Sequence, residues 1–376
     1  MKIKVLFLTN LPSPYMVSFF NEFGKKCSLT VVFERSFSSE RNGRWDHYHF
    51  ENFKAVLLKG IHTSPDSALS VGVCKYLNAC YDSIIVANPM TPTGILAIEY
   101  MRLKKISYII ESEGSFPKNG KGIKERFKRH IISGAKAYFS TTERADKYFL
   151  AYGAKKNRIY HYPFTSLYEQ DLLEVPLTQE EKTDLRRQKN LLGRRIAVAA
   201  GRLIPLKRFD DLIRAWSEMP SEWYLYILGE GEERKRLKKL ARDHHLSNVL
   251  FPGYKEKEEL RVFYQAADLF IHPTSTDVWG LVVNEAMSCG LPVITTDMCI
   301  AGDALVKNGE NGYRIPVGNI HALAEKTKRI MGNEEILRVM AGKSIEKISP
   351  YTFENMAKVH IKLLKNLHRD DKWQRG

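Results

Sequence analysis

The chain has 376 residues, a length typical of two domains, and its hydrophobic content of 44% is enough to fill two cores. Its five cysteines show no C-x-x-C spacing, which argues against a disulfide framework and a zinc site and indicates a reduced, intracellular protein. The net charge is +15, and residues 1–165 hold 25 Lys/Arg against 13 Asp/Glu, so we expect this half to face an acidic partner.

No apolar run in the sequence reaches the length of a membrane span. The first residues, MKIKVLFLTN, contain only four consecutive apolar positions after the lysines. This run is too short for a secretory signal or a membrane helix, and it predicts the first buried strand of a parallel sheet. We therefore expect a cytoplasmic protein.

Short runs rich in β-branched and aromatic residues alternate with helix-length segments, as is typical of βα units on a parallel sheet. The runs are 4–8, 29–33, 83–88, 107–112, 137–142 and 158–163, then 196–201, 223–229, 248–253, 268–274 and 292–297. The sequence thus predicts an α/β protein with two Rossmann-like domains, residues 1–165 and 196–350, joined by a charged connection over 166–195. Ligands are expected in the cleft beyond the carboxyl ends of the strands.

Two cations follow the run 196–201. Arg202 and Lys207 come directly before a helix that starts at Asp210 or Asp211. A planar Arg fork and a Lys point charge at a strand end are well suited to a diphosphate. The alternative is that both are solvated, or pair with these two aspartates.

The loop after the run 223–229 contains Gly229 and Gly231. Their G-x-G spacing predicts a tight turn between a strand and a helix. The full dinucleotide fingerprint is absent, so turn chemistry alone accounts for these glycines.

Residues 274–297, TSTDVWGLVVNEAMSCGLPVITTD, place Asp277 and Glu285 on either side of Gly280. A helix is predicted from Gly280 to the Gly-Leu-Pro turn, so the N–H groups of Gly280, Leu281 and Val282 form an anion site. Glu285 lies about one turn, ~5 Å, beyond them, where it can accept from ribose hydroxyls. A sugar on the outer phosphate would reach Asp277. The alternatives are a locally bonded buried acid for Glu285 and a helix N-cap for Asp277.

Metal-ligand patterns are missing from the sequence. The second half has no D-x-D triplet, and no His/Cys cluster has metal spacing. We therefore expect neither a metal nor another cofactor. Arg202, Lys207 and the helix dipole would offset the charge that develops on a leaving diphosphate.

Most of residues 196–318 resemble the family 4 retaining glycosyltransferases, which have the two-domain GT-B fold. The motifs in order are G-R-L-x₃-K (201–207), a strand-G-E-G turn, F-P-G (251–253), Y-x-x-A-D (264–268) and an acid-x₇-E pair followed by G-L-P-V. The resemblance implies Arg202 and Lys207 on the donor diphosphate and Glu285 on the ribose. It places the first acid on the hydroxyls of the donor sugar. That acid is usually Glu in the family, whereas this chain has the shorter Asp277.

Two loops of the first half depart from that family. The family often has a Gly-Gly loop after the first strand, whereas NLPSPYMVSF (10–19) offers the amides of Ser13 and Tyr15. The family often has a His after a later strand, whereas YIIESEGSF (108–116) offers Glu111 and Glu113 to orient the acceptor hydroxyl or to act as base. Pairing with nearby lysines is the alternative. Residues 351–376 form an amphipathic helix, and similar family helices pack back on the first domain.

Residues 118–131 combine basic charge with helical apolar spacing. Residues 118–129 hold six cations and one acid, and Ile123, Phe127 and Ile131 recur every four positions. One interpretation is a core-packing helix with a solvated basic face, and another is a helix that docks on an anionic membrane surface. Nucleic-acid binding is the third, but no nucleic-acid module is present, so no nucleic-acid partner is expected.

The sequence therefore predicts a metal-independent retaining hexosyltransferase with a nucleotide-sugar donor. Its acceptor would be a saccharide or a lipid-linked saccharide in the synthesis of a surface polysaccharide, such as lipopolysaccharide or capsule. The protein would then be cytoplasmic and peripheral to the inner face of the membrane. The rival hypotheses are a nucleotide-sugar epimerase or phosphorylase on a similar fold, and a non-catalytic protein that binds sugar nucleotides.

Overall fold

The structure is a computed structural model that describes residues 2–36, 49–116 and 122–374. The chain divides into two compact units, Met1–Thr165 with Tyr351–Gly376, and Ser166–Pro350. The segment 166–195, predicted as a connection, falls in the second unit. Residues 117–121 lie outside the described residues, and with them part of the predicted segment 118–131.

Strands and helices alternate along most of the chain. The strands are β1 (Lys4–Thr9), β2 (Ser28–Phe33), β3 (Lys54–Leu57), β4 (Ile61–Ser64), β5 (Ser67–Leu69), β6 (Ser83–Val86), β7 (Ile109–Glu111), β8 (Ala137–Ser140), β9 (Ile159–His161), β10 (Arg195–Ala200), β11 (Trp223–Leu228), β12 (Val249–Gly253), β13 (Leu269–His272), β14 (Val293–Thr296) and β15 (Gly312–Ile315). The helices are α1 (Pro14–Lys26), α2 (Pro92–Leu103), α3 (Ile123–Ser133), α4 (Glu143–Ala151), α5 (Gln179–Gln188), α6 (Phe209–Trp216), α7 (Arg234–Asp243), α8 (Lys257–Ala266), α9 (Leu281–Ser288), α10 (Ile300–Leu305), α11 (Ile320–Met331), α12 (Glu334–Ile348) and α13 (Phe353–Gln374).

The first unit is built on a seven-stranded parallel sheet in the order β3-β2-β1-β6-β7-β8-β9. Val5, Leu6, Phe7 and Leu8 of the central strand β1 are all buried. Because helices cover both faces of such a sheet, its central strands are continuous apolar runs. Burying each of these side chains contributes about 1.5–3 kcal/mol.

Helices α1 and α13 pack against each other in the first unit. Ser13 precedes α1 and Pro14 occupies its first position, where a missing N–H costs nothing. Phe19 and Phe23 of α1 are buried against the ring of His360 on α13. The C-terminal segment therefore completes the core of the first unit.

The second unit is built on a six-stranded parallel sheet in the order β12-β11-β10-β13-β14-β15. In both sheets the strand order changes direction next to the first strand of the unit. The change lies between β1 and β6 in the first sheet and between β10 and β13 in the second. In open α/β sheets, ligands bind at such a switch point, outside the carboxyl ends of the strands. The loops after β1, β6, β10 and β13 are therefore the places to look for a site.

The structure confirms all eleven predicted strands, with bounds that differ by a few residues at most. Within the described part of the chain, four further strands were not predicted: β3, β4, β5 and β15. They are short and carry polar or exposed residues, so their sequences lack the continuous apolar pattern of the central strands. A search of the described residues finds no helix with the length and apolar character needed to cross a membrane.

Candidate functional site

Two loops meet at the switch point of the second unit. The backbone N–H of Ser275 donates to the carbonyl of Leu206 over 2.8 Å, and the Thr274 hydroxyl donates to the same oxygen over 3.1 Å. The loop after β13 is thereby fastened to the loop after β10. These contacts bring Lys207, next to Leu206, to Asp277, although the two lie 70 positions apart in sequence.

Asp277 is held between two basic side chains. Lys207 Nζ bonds to Asp277 Oδ2, and His272 Nε2 lies 2.9 Å from the same oxygen. Burial would raise the pKa of Asp277, but the hydrogen bond from His272 and the charge of Lys207 outweigh it and hold this pKa below its ordinary value. Asp277 is therefore a carboxylate at neutral pH, able to accept hydrogen bonds but not to donate a proton.

The predicted alternative role of Asp277, as N-cap of the following helix, is wrong. Gly280 occupies the N-cap position of α9, with φ of 102°, and no side chain caps the helix. A left-handed φ of this kind favours glycine. A Cβ on Gly280 would also lie 3.4 Å from Asp277 Oδ2. The carboxylate thus lies at the start of α9 while its oxygen is engaged by Lys207 and His272.

His272 was not singled out by the sequence analysis, although it is the last residue of β13. It is fully buried and stacks on Phe270, and burial lowers its pKa, only partly opposed by its hydrogen bond to Asp277. A neutral imidazole donates through only one nitrogen, and here Nε2 faces the carboxylate. The signal that could have found it is its place at the carboxyl end of a strand beside the switch point.

The predicted anion site would lie at the first turn of α9. Leu281 and Val282 are partly exposed, and as the first residues of the helix their N–H groups have no acceptor within it. Trp279, just before the helix, is buried and donates from Nε1 to the Asn284 side chain over 2.8 Å. This hydrogen bond fixes the backbone just before α9. It thereby fixes the direction of the first N–H groups of the helix.

Glu285 lies four residues along α9 from Leu281 and is partly exposed. The Ser166 hydroxyl donates to Glu285 Oε1 over 3.2 Å. Burial raises the pKa of Glu285, opposed by this hydrogen bond and by the charge of Lys257. Glu285 is therefore bonded locally, as in the alternative interpretation, and it also lies one turn from the predicted anion site.

The aspartates of α6 are not the ion-pair partners seen for Lys207. Asp210 pairs with Arg214, and Asp211 pairs with Arg208. Lys207 pairs instead with Asp277. Arg202, the other predicted cation, is exposed at the end of β10.

The glycines of the G-E-G turn have a packing role. A Cβ on Gly229 would lie 1.9 Å from the carbonyl oxygen of Gly201, and one on Gly231 would lie 2.3 Å from that of Leu203. Only glycine lets the two loops approach so closely. The turn therefore sets the position of the strand end that carries Arg202.

The switch point of the first unit contains a pocket of about 390 Å³. Asn10 follows β1 and Asn88 follows β6, and the amide oxygen of Asn88 accepts from the Asn10 N–H over 3.0 Å. Ser112, Ser115 and Tyr148 also line the pocket. Hydroxyl and amide groups with an aromatic side chain are suited to a polyhydroxylated ligand. The strand-end rule would have found both asparagines in the sequence.

The residues predicted for the acceptor side lie next to this pocket in sequence but do not line it. Glu111 is buried, and its Oε2 lies 3.0 Å from His360 Nε2. Glu113 is partly exposed and accepts from the Tyr15 hydroxyl over 3.4 Å. The partners seen for Glu111 and Glu113 are thus His360 and Tyr15, and not the nearby lysines of the alternative interpretation. The amide of Ser13 donates to the Leu11 carbonyl over 3.0 Å, so it is already paired.

Glu113 is expected to make the stability of the first unit depend on pH. Burial, reinforced by the charge of Glu111, raises its pKa to about 7. The folded state then binds more protons than the unfolded state between about pH 4.5 and 7, so stability falls as pH rises through this range. In Glu113→Gln the decrease in the free energy of unfolding from pH 5 to pH 8 should be smaller by about 1–3 kcal/mol, measured by denaturant unfolding. Glu51→Gln, which removes an exposed carboxylate of the same unit, should follow the wild type, and an unchanged pH slope in Glu113→Gln would contradict the assignment.

Each unit is a parallel sheet wound in both directions from a switch point, and two such Rossmann-like units in one chain define the GT-B class of fold. The solved structure described as "Crystal structure of Anabaena Alr3699/HepE in complex with UDP" shares it, with a TM-score of 0.78 over 97% of this chain and 100% of that chain. The sequence identity is 16%, so this likeness shows the fold alone. Residues 181–347 match the family model of glycosyl transferases group 1.

Curated relatives are similar over about half of the chain. A lipopolysaccharide core biosynthesis glycosyltransferase, LpsE of Rhizobium meliloti, is 29% identical over 45% of this chain and 49% of its own length. An alpha-galactosylglucosyldiacylglycerol synthase of Streptococcus pneumoniae is 27% identical over 50% of each chain. The chain thus spans about half the length of these curated relatives.

Proposed function

We propose that the protein is a retaining glycosyltransferase that moves a sugar from a nucleotide-diphosphate donor to a saccharide or lipid-linked saccharide. The observation that carries this proposal is the contact of Lys207 with Asp277 at the start of α9. A cation, a carboxylate and the first N–H groups of a helix would then lie around one bound ligand. A diphosphate that carries a sugar needs this combination.

The diphosphate is proposed to lie on the first turn of α9. The N–H groups of Gly280, Leu281 and Val282 would donate to its oxygens, with the positive end of the helix dipole behind them. Lys207 would stabilise the negative charge on the leaving diphosphate, with Arg202 as a second cation at the end of β10. Since these groups supply the positive charge, we propose that transfer needs no metal ion.

The two acids of the acid-x₇-E pair are proposed to hold opposite ends of the donor. Glu285, one turn along α9, would accept from the ribose hydroxyls. Asp277, ionised and next to the helix start, would accept from hydroxyls of the transferred sugar. His272 would position Asp277 through its 2.9 Å hydrogen bond. Retention of anomeric configuration is supported by the resemblance to family 4.

The acceptor is proposed to bind in the 390 Å³ pocket at the switch point of the first unit. The side chains of Asn10 and Asn88 would bond its hydroxyls, and Tyr148 would pack on an apolar sugar face. Glu113, two residues after β7 and partly exposed, would be the carboxyl that approaches the acceptor hydroxyl. Glu111, buried against His360, would have a structural role.

Two kinds of relative support a role in surface glycans. LpsE is named for lipopolysaccharide core biosynthesis, and the streptococcal relative for a glycosyldiacylglycerol. The structural neighbour HepE is described in complex with UDP. UDP-sugars are therefore the donors to test first.

We expect turnover only when a nucleotide-sugar donor and a saccharide acceptor are both present. A panel of UDP-, GDP- and ADP-sugars should contain at least one that raises the thermal midpoint, because ligand binding adds stability to the folded state. With that donor and a suitable saccharide acceptor, the nucleoside diphosphate should be released together with a glycosylated product, and added EDTA should not slow the reaction. Conversion of the donor to its epimer without acceptor would identify an epimerase instead. Binding without any turnover across the acceptor panel would favour a non-catalytic protein.

Helix α3 supports the proposed contact with an anionic membrane. Ile123 is 86% exposed and Phe127 is 44% exposed, whereas Ile131 is fully buried. The core-packing interpretation therefore fits only the end of α3. Lys124 and Arg126 are exposed beside the two apolar side chains. A helix that exposes apolar and basic residues together is suited to an anionic lipid surface.

The protein is accordingly expected to sediment with vesicles that contain anionic lipid at low salt and to be released as salt rises. Ile123→Ser with Phe127→Ser should weaken this sedimentation. Leu57→Ser, which changes a side chain of 46% exposure in the same unit, should not. Sedimentation that is absent at every salt concentration would remove the proposed membrane contact.

A further inference from the structure

A second pocket of the first unit lies where β7, β8 and β9 begin. It has a volume of about 670 Å³, and residues just before each of these three strands line it. The strands are parallel neighbours in the sheet, so their first residues lie side by side at one edge. Asn10 and Asn88 lie at the opposite, carboxyl edge. This amino-edge pocket is thus separate from the proposed acceptor site.

The lining of the amino-edge pocket is basic. It includes Arg102, Lys105, Lys136 and Arg158 and no carboxylate among the described residues. Arg102 is fixed by donating from Nη1 to the His130 carbonyl, and the backbone N–H of Lys136 donates to the Tyr108 carbonyl over 2.9 Å. Four like charges around one cavity repel each other, and an anion bound there would relieve this repulsion.

The buried hydroxyl of Tyr108 is an independent indication that a hydrogen-bond acceptor is missing from this pocket. Its side chain is only 3% exposed, and its hydroxyl has no hydrogen-bond partner of good geometry among the described residues. The guanidinium of Arg102 lies beside it, but a guanidinium can only donate. The hydroxyl proton of Tyr108 therefore has no acceptor there. Buried polar groups without a partner are rare in folded proteins and call for a ligand or water.

Gly134 lies where the Tyr108 hydroxyl and the Arg102 guanidinium converge. A Cβ on Gly134 would lie 2.7 Å from the Tyr108 hydroxyl oxygen and 2.8 Å from Arg102 Nη1. The backbone of Gly134 is in the ordinary right-handed region, with φ of −86°, so its conformation does not require glycine. The missing side chain allows the Tyr108 hydroxyl and the Arg102 guanidinium to come together against the Gly134 backbone.

We propose that the amino-edge pocket binds a phosphate group, carried either by a soluble compound or by a lipid headgroup. A phosphate offers only acceptors and negative charge, while this lining offers donors and positive charge. Arg102 and Arg158 would bind its oxygens with Lys105 and Lys136, and the Tyr108 hydroxyl would donate to it. The site is formed by residues of the first unit, whereas Lys207 and α9 belong to the second, so the two proposed sites share no residue.

Pyrophosphate is the probe for this site, titrated calorimetrically into the full-length protein with saturating UDP present. The double variant Lys105→Asn, Arg158→Gln should bind it at least about tenfold more weakly, since the loss of even one charge-assisted hydrogen bond is expected to cost about that factor. Asn is chosen at position 105 because φ there is 56°, a left-handed value that Asn tolerates. Lys54→Gln, which removes an exposed lysine on β3 at the other side of the sheet, is the matched control and should bind like the wild type.

Tyr108→Phe separates a binding role from a structural one. Without pyrophosphate its thermal midpoint should equal or exceed that of the wild type, because the change removes an unpaired buried hydroxyl. With pyrophosphate it should gain less stability than the wild type does. Equal pyrophosphate isotherms for the wild type and the double variant would overturn the proposal, whether or not UDP binds elsewhere.

Vesicles of phosphatidylglycerol identify the source of the phosphate. If the double variant loses both pyrophosphate binding and vesicle sedimentation, the group is a lipid headgroup. If it loses pyrophosphate binding alone, the ligand is a soluble phosphate compound. Both outcomes support a phosphate site, and retention of both activities refutes it.

Discussion

Lys207→Ala is expected to lower the rate of sugar transfer by at least about 10²–10³-fold, as the loss of a preorganised donor to a developing oxyanion does. In the structure Lys207 Nζ reaches Asp277 at the start of α9, where the leaving diphosphate is proposed to lie. Glu285→Ala should likewise abolish transfer, because the ribose would lose its carboxylate partner. Both variants should also weaken nucleotide binding, measured by calorimetry with the nucleoside diphosphate alone.

The controls for these variants must exclude simple unfolding. Lys207 and Glu285 are both partly exposed, so each variant should keep a thermal midpoint close to that of the wild type. Lys238→Ala removes an exposed lysine from α7 of the same unit and should leave transfer unchanged. Near-normal turnover in either Lys207→Ala or Glu285→Ala would show that the donor lies elsewhere.

The strands of both sheets could be predicted because burial on both faces leaves a continuous apolar run. β1 and β10 are buried over nearly their whole length, and their runs are unmistakable in the sequence. β3, by contrast, is the edge strand of the first sheet and is only partly buried. Its four residues, KAVL, carry no pattern that distinguishes a strand from a loop.

The contacts of the site could be predicted only in part. The strand-end rule placed Arg202, Lys207 and Asp277 in loops of one sheet edge, and the structure brings Lys207 to Asp277. The sequence could not show that His272 shares this carboxylate, because a buried histidine has no local signature. Nor could it show that Glu111 meets His360, a residue 249 positions away, since only tertiary packing pairs them.

The segment 166–195 contains contacts from which we expect a large effect on stability. Residues 166–195 were predicted as a connection, yet α5 lies within them and is fixed to the second unit by Asp268. Asp268 is fully buried, accepts from Arg186 Nη2 over 2.8 Å and from the Ile196 N–H over 2.9 Å, and lies 3.9 Å from Lys182 Nζ. Burial lowers the pKa of Lys182, and the charge of Asp268 opposes this. One carboxylate thus balances several buried cations.

Asp268→Asn is expected to destabilise the second unit by about 3–5 kcal/mol, because it leaves Arg186 buried without its counter-charge. The measurement is denaturant unfolding followed by a signal from the second unit, such as the fluorescence of its buried Trp216. The neighbouring pair Arg187–Asp184 on the same helix provides the matched control, at 2.9 Å but with side chains 76% and 53% exposed. Asp184→Asn should change stability by less than about 1 kcal/mol, since water screens an exposed pair. Equal effects of the two substitutions would mean that α5 is held by its apolar contacts and not by the charge of Asp268.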